Sequence, residues 1–371
     1  MSIPSPTSVV VGLSGGVDSA VAALLLKEQG WDVQGLFMSN WDEEDDSYCT
    51  AATDYQDARA VARELGIPLH RVSFAAKYRA RVFAHFLEEQ RAGRTGNPDI
   101  LCNREIKFGA AAAYAQRLGA AWFATGHYGR LVQSATGAEL HKARDVSKDQ
   151  SYFLHAVARA QLARTLMPLG DIEKGEVRER ARCAGLPVYD KPDSTGICFI
   201  GERPFREFLA RFLPDTPGSI ETPDRVRLGS HRGLAFYTLG QREGLSIGGR
   251  SGYSQAPWFV AAKDARRNVL VVVQGHDHPL LASGELATGR MHWLMDPPAG
   301  AFRAQVKVRY RQADQSALIE PRADGALRVV FDVPQRAVTP GQYAVLYDGT
   351  RCLGGAVIDN VAEQGRLSAA A

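Results

Sequence analysis

An α/β N-terminal domain built on a parallel sheet, followed by a small central domain and a C-terminal β-barrel, is the architecture this sequence predicts. Three observations predict it. Residues 8–128 alternate short apolar runs with helical segments that stop at glycine, the pattern of a parallel sheet with helices on both faces. From about Pro204 the texture changes: helical patterns fade after Phe212, and short β-rich runs separated by turn signals take over. The chain has 371 residues, which asks for two or three domains rather than one. The predicted divisions are 1–203, 204–280 and 281–371.

The elements follow in order. Ser8-Val9-Val10-Val11 reads as a buried strand, and the helix formers Ala20 to Glu28 follow it, stopping at Gly30. Trp31 to Met38 reads as a second strand, and the acidic run Asp42 to Asp46 reads as a solvated loop. Ala51 to Leu65 is helical, Leu69 to Phe74 a third strand, and Lys77 to Gln90 helical again. A polar loop from Arg91 to Ile100 leads to an Ala-rich helix, Asn103 to Leu118, and then to a short strand, Ala121 to Thr125. Strand candidates in the tail include 269–273, 302–310, 327–331, 344–347 and 354–358, and Ser368 to Ala371 reads as a frayed end. Within Phe302 to Arg311 the odd positions are polar or basic, so a strand there places Arg303, Lys307, Arg309 and Arg311 on one face, as a solvated barrel surface or a stripe that tracks a phosphate backbone.

Gly12-Leu13-Ser14-Gly15-Gly16-Val17-Asp18-Ser19 links the first strand to the first helix. Glycines let the backbone curl close to an anion, Ser14 and Ser19 add hydroxyls, and a helix N-terminus offers free N–H groups and a positive dipole end. The common P-loop is excluded, because Asp18 stands where its lysine belongs, and no Gly-x-Gly-x-x-Gly marks a dinucleotide site here. Ligands of such sheets gather at the carboxyl ends of strands. Met38, at one such end, is placed to pack on an adenine. Gly126, at another, is placed to let a nucleotide come close.

Composition bounds the rest. Apolar content of 45% and charged content of 23% are ordinary for a soluble globular protein, and a net charge of +3 permits nucleic-acid binding without arguing for it. No secretory signal and no membrane-length apolar run are present, so a reducing cytoplasm is expected and five cysteines read as structural, metal-binding or reactive. No Cys-x-x-Cys supports a zinc ribbon or the usual cluster spacings. Cys102 follows the Pro98 loop where a helix is expected to begin, and a thiol at a helix N-terminus has a lowered pKa. Asp99, three residues earlier, is placed to cap that helix or to accept a proton near the thiol. Cys198 lies in a Gly196-containing segment that reads as a loop, whereas Cys49, Cys183 and Cys352 lack comparable surroundings. A free cysteine is otherwise usually a small buried hydrophobe.

Ser14 to Ser19 resembles the loop of PP-loop ATP pyrophosphatases, which split ATP into AMP and pyrophosphate. Together with Asn97-Pro98-Asp99 and Cys102, Ala124 to Tyr128, Lys148 to Phe153, Ser194 to Gly201 and Tyr237 to Leu245, it resembles the tRNA-specific 2-thiouridylases over nearly the whole chain. That resemblance implies an adenine nucleotide α-hydrolase-like catalytic domain and a tRNA-binding barrel. It implies ATP bound by Gly12 to Ser19, Met38 and Gly126. The 2-oxygen of a wobble uridine attacks the α-phosphate. Cys198 carries a persulfide delivered by a sulfur-relay donor protein, and its terminal sulfur, or hydrosulfide released from it, displaces AMP. Cys102 attacks the persulfide, and Asp99 serves as acid–base residue. Asn97, Pro98 and Asp99 receive the target base, and His127, Lys148, Asp149, Gln150, Tyr310, Arg311 and Gln342 contact tRNA. Mg²⁺ is expected with no ligand assigned, and no stable organic cofactor is expected. The rivals are another enzyme of the same loop superfamily, such as a tRNA lysidine synthetase, and a nucleotide-regulated RNA-binding protein. The first needs no pair of separated thiols, and the second makes no AMP.

Overall fold

The computed structural model describes residues 7–41, 51–134, 137–193, 205–249 and 251–361. The acidic run from Asp42, Cys49, the Ser194 to Gly201 motif with Cys198, and the tail from Ser368 lie outside the described residues. Strands of the first third are β1 (Ser8–Gly12), β2 (Asp32–Ser39), β3 (Leu69–Ser73), β4 (Trp122–Ala124), β5 (Arg130–Ser134), β6 (Gly137–His141) and β7 (Thr165–Leu166). Helix α1 (Val17–Glu28) follows β1, and α2 (Ala51–Leu65) precedes β3.

The first sheet is parallel, in the order β3-β2-β1-β4-β7. Val9, Val10 and Val11 are fully buried, because β1 is central and covered on both faces. Val9 and Val11 pack with α1 and with Val177 and Ala181 of the helix Lys174–Cys183. Val10 faces the other way, into a core that includes Ile100, Leu101 and Cys102. From β1 the chain goes out to β2 and β3 on one side, while β4 and β7 lie on the other. β1 and β4 therefore flank the switch point, the position at which open α/β sheets bind ligands.

One helical rod runs from Pro98 to Arg117, with a π-helical stretch from Cys102 to Ala111. It starts earlier than the sequence reading placed it. Asn97 is the N-cap, its side chain accepting from the Ile100 N–H at 3.4 Å, and Pro98 fills the first helical position, where its missing N–H costs nothing. The wider π turn brings the Arg104 carbonyl so close to Gly109 that an added Cβ would stand 2.8 Å from it.

The expected three-part architecture is present. A four-stranded sheet runs β10-β11-β8-β9, from β8 (Gly218–Glu221), β9 (Arg227–His231), β10 (Trp258–Asp264) and β11 (Val269–Gln274). The last part comprises β12 (Ala282–Thr288), β13 (His292–Trp293), β14 (Phe302–Lys307), β15 (Gln315–Pro321), β16 (Leu327–Arg336), β17 (Tyr343–Asp348) and β18 (Arg351–Val361). β12-β16-β15-β14-β17-β18 closes on itself through the pairing of β12 with β18. The hairpin β5–β6, read as part of the catalytic region, joins this barrel sheet where Arg351 pairs with His141. Among the described residues no helix is long and apolar enough to cross a membrane.

Candidate functional site

The loop after β1 is built by its own hydroxyls. Ser19 Oγ accepts from the Ser14 N–H at 3.1 Å and donates to the Gly16 carbonyl at 3.1 Å, while Ser14 Oγ accepts from the Gly16 N–H at 3.3 Å. Gly15 has φ +79°, and a Cβ there would collide with the Asp54 carbonyl, so glycine is required twice over. Gly16, the N-cap of α1, has no side chain with which to cap the helix. Met38 lies over the loop's first residue, since a Cβ on Gly12 would be 3.6 Å from its methyl. Gly126 follows β4, and a Cβ there would stand 2.7 Å from the Asp18 carbonyl carbon and the Ser19 nitrogen. In this structure Gly126 therefore makes room for the loop's own backbone.

Around this loop lies a charge network that sequence reasoning missed. Asp18 accepts from the Tyr128 hydroxyl at 2.7 Å and from Lys174 Nζ through both oxygens at 2.7 and 2.8 Å. Lys174 also pairs with Asp193 at 2.7 Å, and Asp193 holds Lys148 at 2.8 Å and Arg178 at 2.9 Å. Lys191 Nζ donates to the Gly15 carbonyl at 3.1 Å, to Asp54 at 2.7 Å and to Asp57 at 2.5 Å. The segment from Lys191 to Asp193 is thus strapped to the loop between β1 and α1. Burial works to raise the Asp193 carboxyl, but hydrogen bonds from Lys148 and Lys174 prevail and hold it at about 2. Burial, then the charge of Asp18, push the Tyr128 phenol far up, so it stays a donor. No motif flags Lys174 or Lys191, and they meet the loop only through tertiary folding.

The carboxylates nearest the loop are committed to these cations. Among the described residues no group of His, Cys, Asp and Glu is arranged to hold a metal ion. The described side chains therefore do not fit a dedicated Mg²⁺ cage, although such an ion can be carried largely by a substrate's phosphates.

Because the helix from Pro98 feeds into β4, its start lies at the same carboxyl edge as the loop. Cys102 is fully buried there. It is not at the helix N-terminus: its N–H already bonds to the carbonyls of Pro98 and Asp99, so the free-amide argument for an activated thiol does not apply. The cap is Asn97, and Asp99 is half-buried in the first turn. The next residue, Asn103, donates to the Phe153 carbonyl at 3.2 Å. The other described cysteines differ: Cys183 is exposed against Glu179, and burial pushes the buried Cys352 thiol up to about 12.

The positions expected to meet tRNA are divided between the N-terminal part, with His127 and residues 148–150, and the barrel, with Tyr310, Arg311 and Gln342. His127 is buried, with Nδ1 2.9 Å from Thr125 Oγ1, and burial, then the charge of Lys107, push its pKa well down. Lys148 reaches Asp193, and Gln150 accepts from the Tyr128 N–H at 3.0 Å. Asp149 is enclosed, its carboxylate accepting from the N–H groups of Ala143 and Ser151 and from the Ser151 hydroxyl. Tyr310 packs on Phe153 with ring centroids 4.4 Å apart, and Arg311 is exposed. Gln342 Nε2 donates to the Thr95 carbonyl at 2.8 Å.

The expected four-residue basic stripe is not there. β14 ends at Lys307, which is buried near Asp314, and Arg309 turns inward to the carbonyls of Leu239 and Ala337. Arg303 pairs with Asp332. The strand pattern failed because the chain turns after Lys307.

Three family models match the chain: a tRNA methyl transferase HUP domain over residues 7–202, a tRNA methyl transferase PRC-barrel domain over 206–274, and an aminomethyltransferase beta-barrel domain over 283–358. The chain is 56% identical over 361 residues to a tRNA-specific 2-thiouridylase MnmA of Marinobacter nauticus, covering 96% of this chain and 92% of that one. It is 54% identical over 358 residues to the protein of the same name from Dichelobacter nodosus, covering 96% and 95%. A solved 4-thiouridine synthetase–RNA complex with bound ATP aligns at 19% identity and TM-score 0.34, over 55% of this chain and 50% of that one, a likeness too slight to bear on function.

Proposed function

The chain belongs to the tRNA-specific 2-thiouridylase family, and from that membership we propose how its residues divide the work. It is an ATP-dependent tRNA sulfurtransferase that makes 2-thiouridine. The matching domain families are named for methyl transfer, but the near full-length relatives are named for thiolation. What supports the assignment of residues is the order of the elements: the loop from Gly12 to Ser19 follows β1, and the helix that opens at Pro98 leads into the neighbouring parallel strand β4, so both are directed to the same carboxyl edge of the sheet.

An unactivated urea-like carbonyl resists sulfur, so a leaving group must be made first. The loop from Gly12 to Ser19 holds the phosphates of ATP, with Met38 beside the adenine and Gly126 keeping the loop in place. The target uridine, turned out of its stack, enters at Asn97, Pro98 and Asp99. Its 2-oxygen attacks the α-phosphate and pyrophosphate leaves, with Asp99 managing the proton. The terminal sulfur of a Cys198 persulfide, supplied by an external donor protein, or hydrosulfide freed from it, then displaces AMP. Cys102 attacks Cys198 Sγ. The two thiols become a disulfide, and the two electrons reduce the transferred sulfur, so a reducing cytoplasm is needed to reset the pair. His127, Lys148, Gln150, Tyr310, Arg311 and Gln342 meet tRNA, His127 as a neutral ring. Asp149 shapes the turn that presents Lys148 and Gln150. We assign 1–203 to catalysis, 204–280 to a connecting domain and 281–371 to the tRNA-binding barrel.

The test is a reconstituted reaction of unmodified tRNA, ATP, Mg²⁺ and a sulfide source, with nucleosides and nucleotides read by mass spectrometry. 2-Thiouridine with AMP is expected. Cys198→Ser should abolish persulfide-driven thiolation while tRNA still binds, and normal thiolation by that variant would remove Cys198 from the mechanism. AMP without thiolated base would point to another adenylated substrate.

A further inference from the structure

A carboxylate beside a triphosphate site is an electrostatic problem. Asp18 is the second residue of α1, at the helix end where phosphates bind, and both groups are anionic. The structure shows how the problem is met. Lys174 Nζ lies 2.7 and 2.8 Å from the two oxygens of Asp18, and the Tyr128 hydroxyl donates to one of them. The third ammonium N–H goes to Asp193 at 2.7 Å. With three donors used and 11% of its side chain exposed, Lys174 has no N–H left for a phosphate. Its backbone is fixed as well: its N–H donates to Asp145 at 3.0 Å, and it opens the helix Lys174–Cys183, which shares a core with α1.

The two carboxylates that share Lys174 are not equally dependent on it. Asp193 keeps Lys148 and Arg178 if Lys174 is removed. Asp18 would keep only a neutral hydroxyl among the partners described above. We infer that Lys174 is a positioning residue for the ATP reaction: it cancels the charge of Asp18 and so makes the loop between β1 and α1 able to accept a triphosphate. The inference rests on the reading of that loop as the ATP site. The lysine missing from the loop's own sequence is thus supplied from far along the chain, facing the carboxylate rather than the phosphates.

The test is equilibrium binding of ATP to four full-length proteins: wild type, Lys174→Met, Lys174→Arg and Asp18→Asn/Lys174→Met. One uncompensated charge within several ångströms of the phosphates should weaken ATP binding by roughly tenfold in Lys174→Met. Lys174→Arg should keep most of the affinity, because a guanidinium can fork onto both Asp18 oxygens. The double variant should recover most of what Lys174→Met loses, which a purely structural role would not produce. Affinity for tRNA should stay within about twofold in all four. Wild-type ATP affinity in Lys174→Met overturns the inference. So does a double variant no better than Lys174→Met, which would put the ammonium on the phosphates themselves. If Lys174→Met does not fold, wild type compared with Asp18→Asn/Lys174→Met carries the same test, because the pair is neutral in both, and a double variant that binds ATP far more weakly than wild type overturns it. A wild type that binds tRNA but no ATP would instead sink the reading of the loop, and the inference with it.

Discussion

Gln342, on the barrel side, donates its amide to the carbonyl of Thr95, two residues before the Asn97 cap, at 2.8 Å. The Thr95 N–H in turn donates to the Pro340 carbonyl at 2.9 Å. The barrel therefore grips both backbone groups of Thr95, just upstream of the helix that starts the proposed target-base site. Gln342→Ala removes one of these two ties. It should lower stability by about 1 kcal/mol, the usual net worth of one hydrogen bond. It should also lower the kcat of thiolation several-fold more than it raises KM for tRNA, with ATP affinity unchanged. Steady-state kinetics decide it: a raised KM at constant kcat would mean that Gln342 acts only by touching tRNA.

Gly126→Ala tests the close approach of the end of β4 to the loop between β1 and α1, the proposed ATP site. The new Cβ would meet the Asp18 and Ser19 backbone at 2.7 Å, and neither a strand end nor a helix N-terminus can give way cheaply. Overpacking of this kind costs about 1–3 kcal/mol. The expected outcome is a lower melting temperature together with ATP binding weakened at least about tenfold, as measured by calorimetry. A variant with lowered stability and normal ATP affinity would detach Gly126 from the nucleotide site.

These two sites show what the sequence could and could not disclose. The turn between β1 and α1 is legible in the sequence because its glycines, hydroxyls and flanking elements are contiguous and each has a local physical reason. Asn97-Pro98 is equally local, but a proline signals a loop and a first helical position alike, and here it opens the helix, four residues ahead of Cys102. The hairpin β5–β6 was out of reach: its place on the barrel rests on the pairing of His141 with Arg351, far apart in the chain. The network of Asp18, Lys174 and Asp193 was hidden for the same reason, since isolated charges in sequence carry no sign of their partners.

Lys263 offers a pH test of how the central sheet holds the loop that leads to Asn97. Its Nζ donates to the Gly93 carbonyl at 3.0 Å, and burial pushes its pKa down to about 8. In the unfolded chain the value is about 10.4. Between these limits the unfolded state binds the extra proton, so stability attributable to this site rises as pH climbs from about 8 to about 10.4. Below about 8 the buried charge is a standing cost. Denaturant unfolding of wild type and Lys263→Met across that window should show the difference moving in favour of wild type with rising pH. A difference that stays flat would mean that the ammonium is hydrated in the folded protein.

Arg311 is the remaining basic residue of the failed stripe. Arg303 is paired with Asp332, Lys307 is buried near Asp314, and Arg309 is spent on backbone carbonyls. Arg311 is exposed, beside Tyr310, and no ion pair holds it among the described residues. A guanidinium in that state is available to a phosphate, and phosphate contacts are non-specific and salt-dependent. Arg311→Ala should therefore weaken all substrate tRNAs alike and reduce the slope of log affinity against log salt by about 1. Arg303→Ala, which removes a charge already balanced by Asp332, should leave that slope nearly unchanged. Binding titrations over a range of salt concentrations separate the two, and an unchanged slope in Arg311→Ala would place that residue outside the tRNA interface.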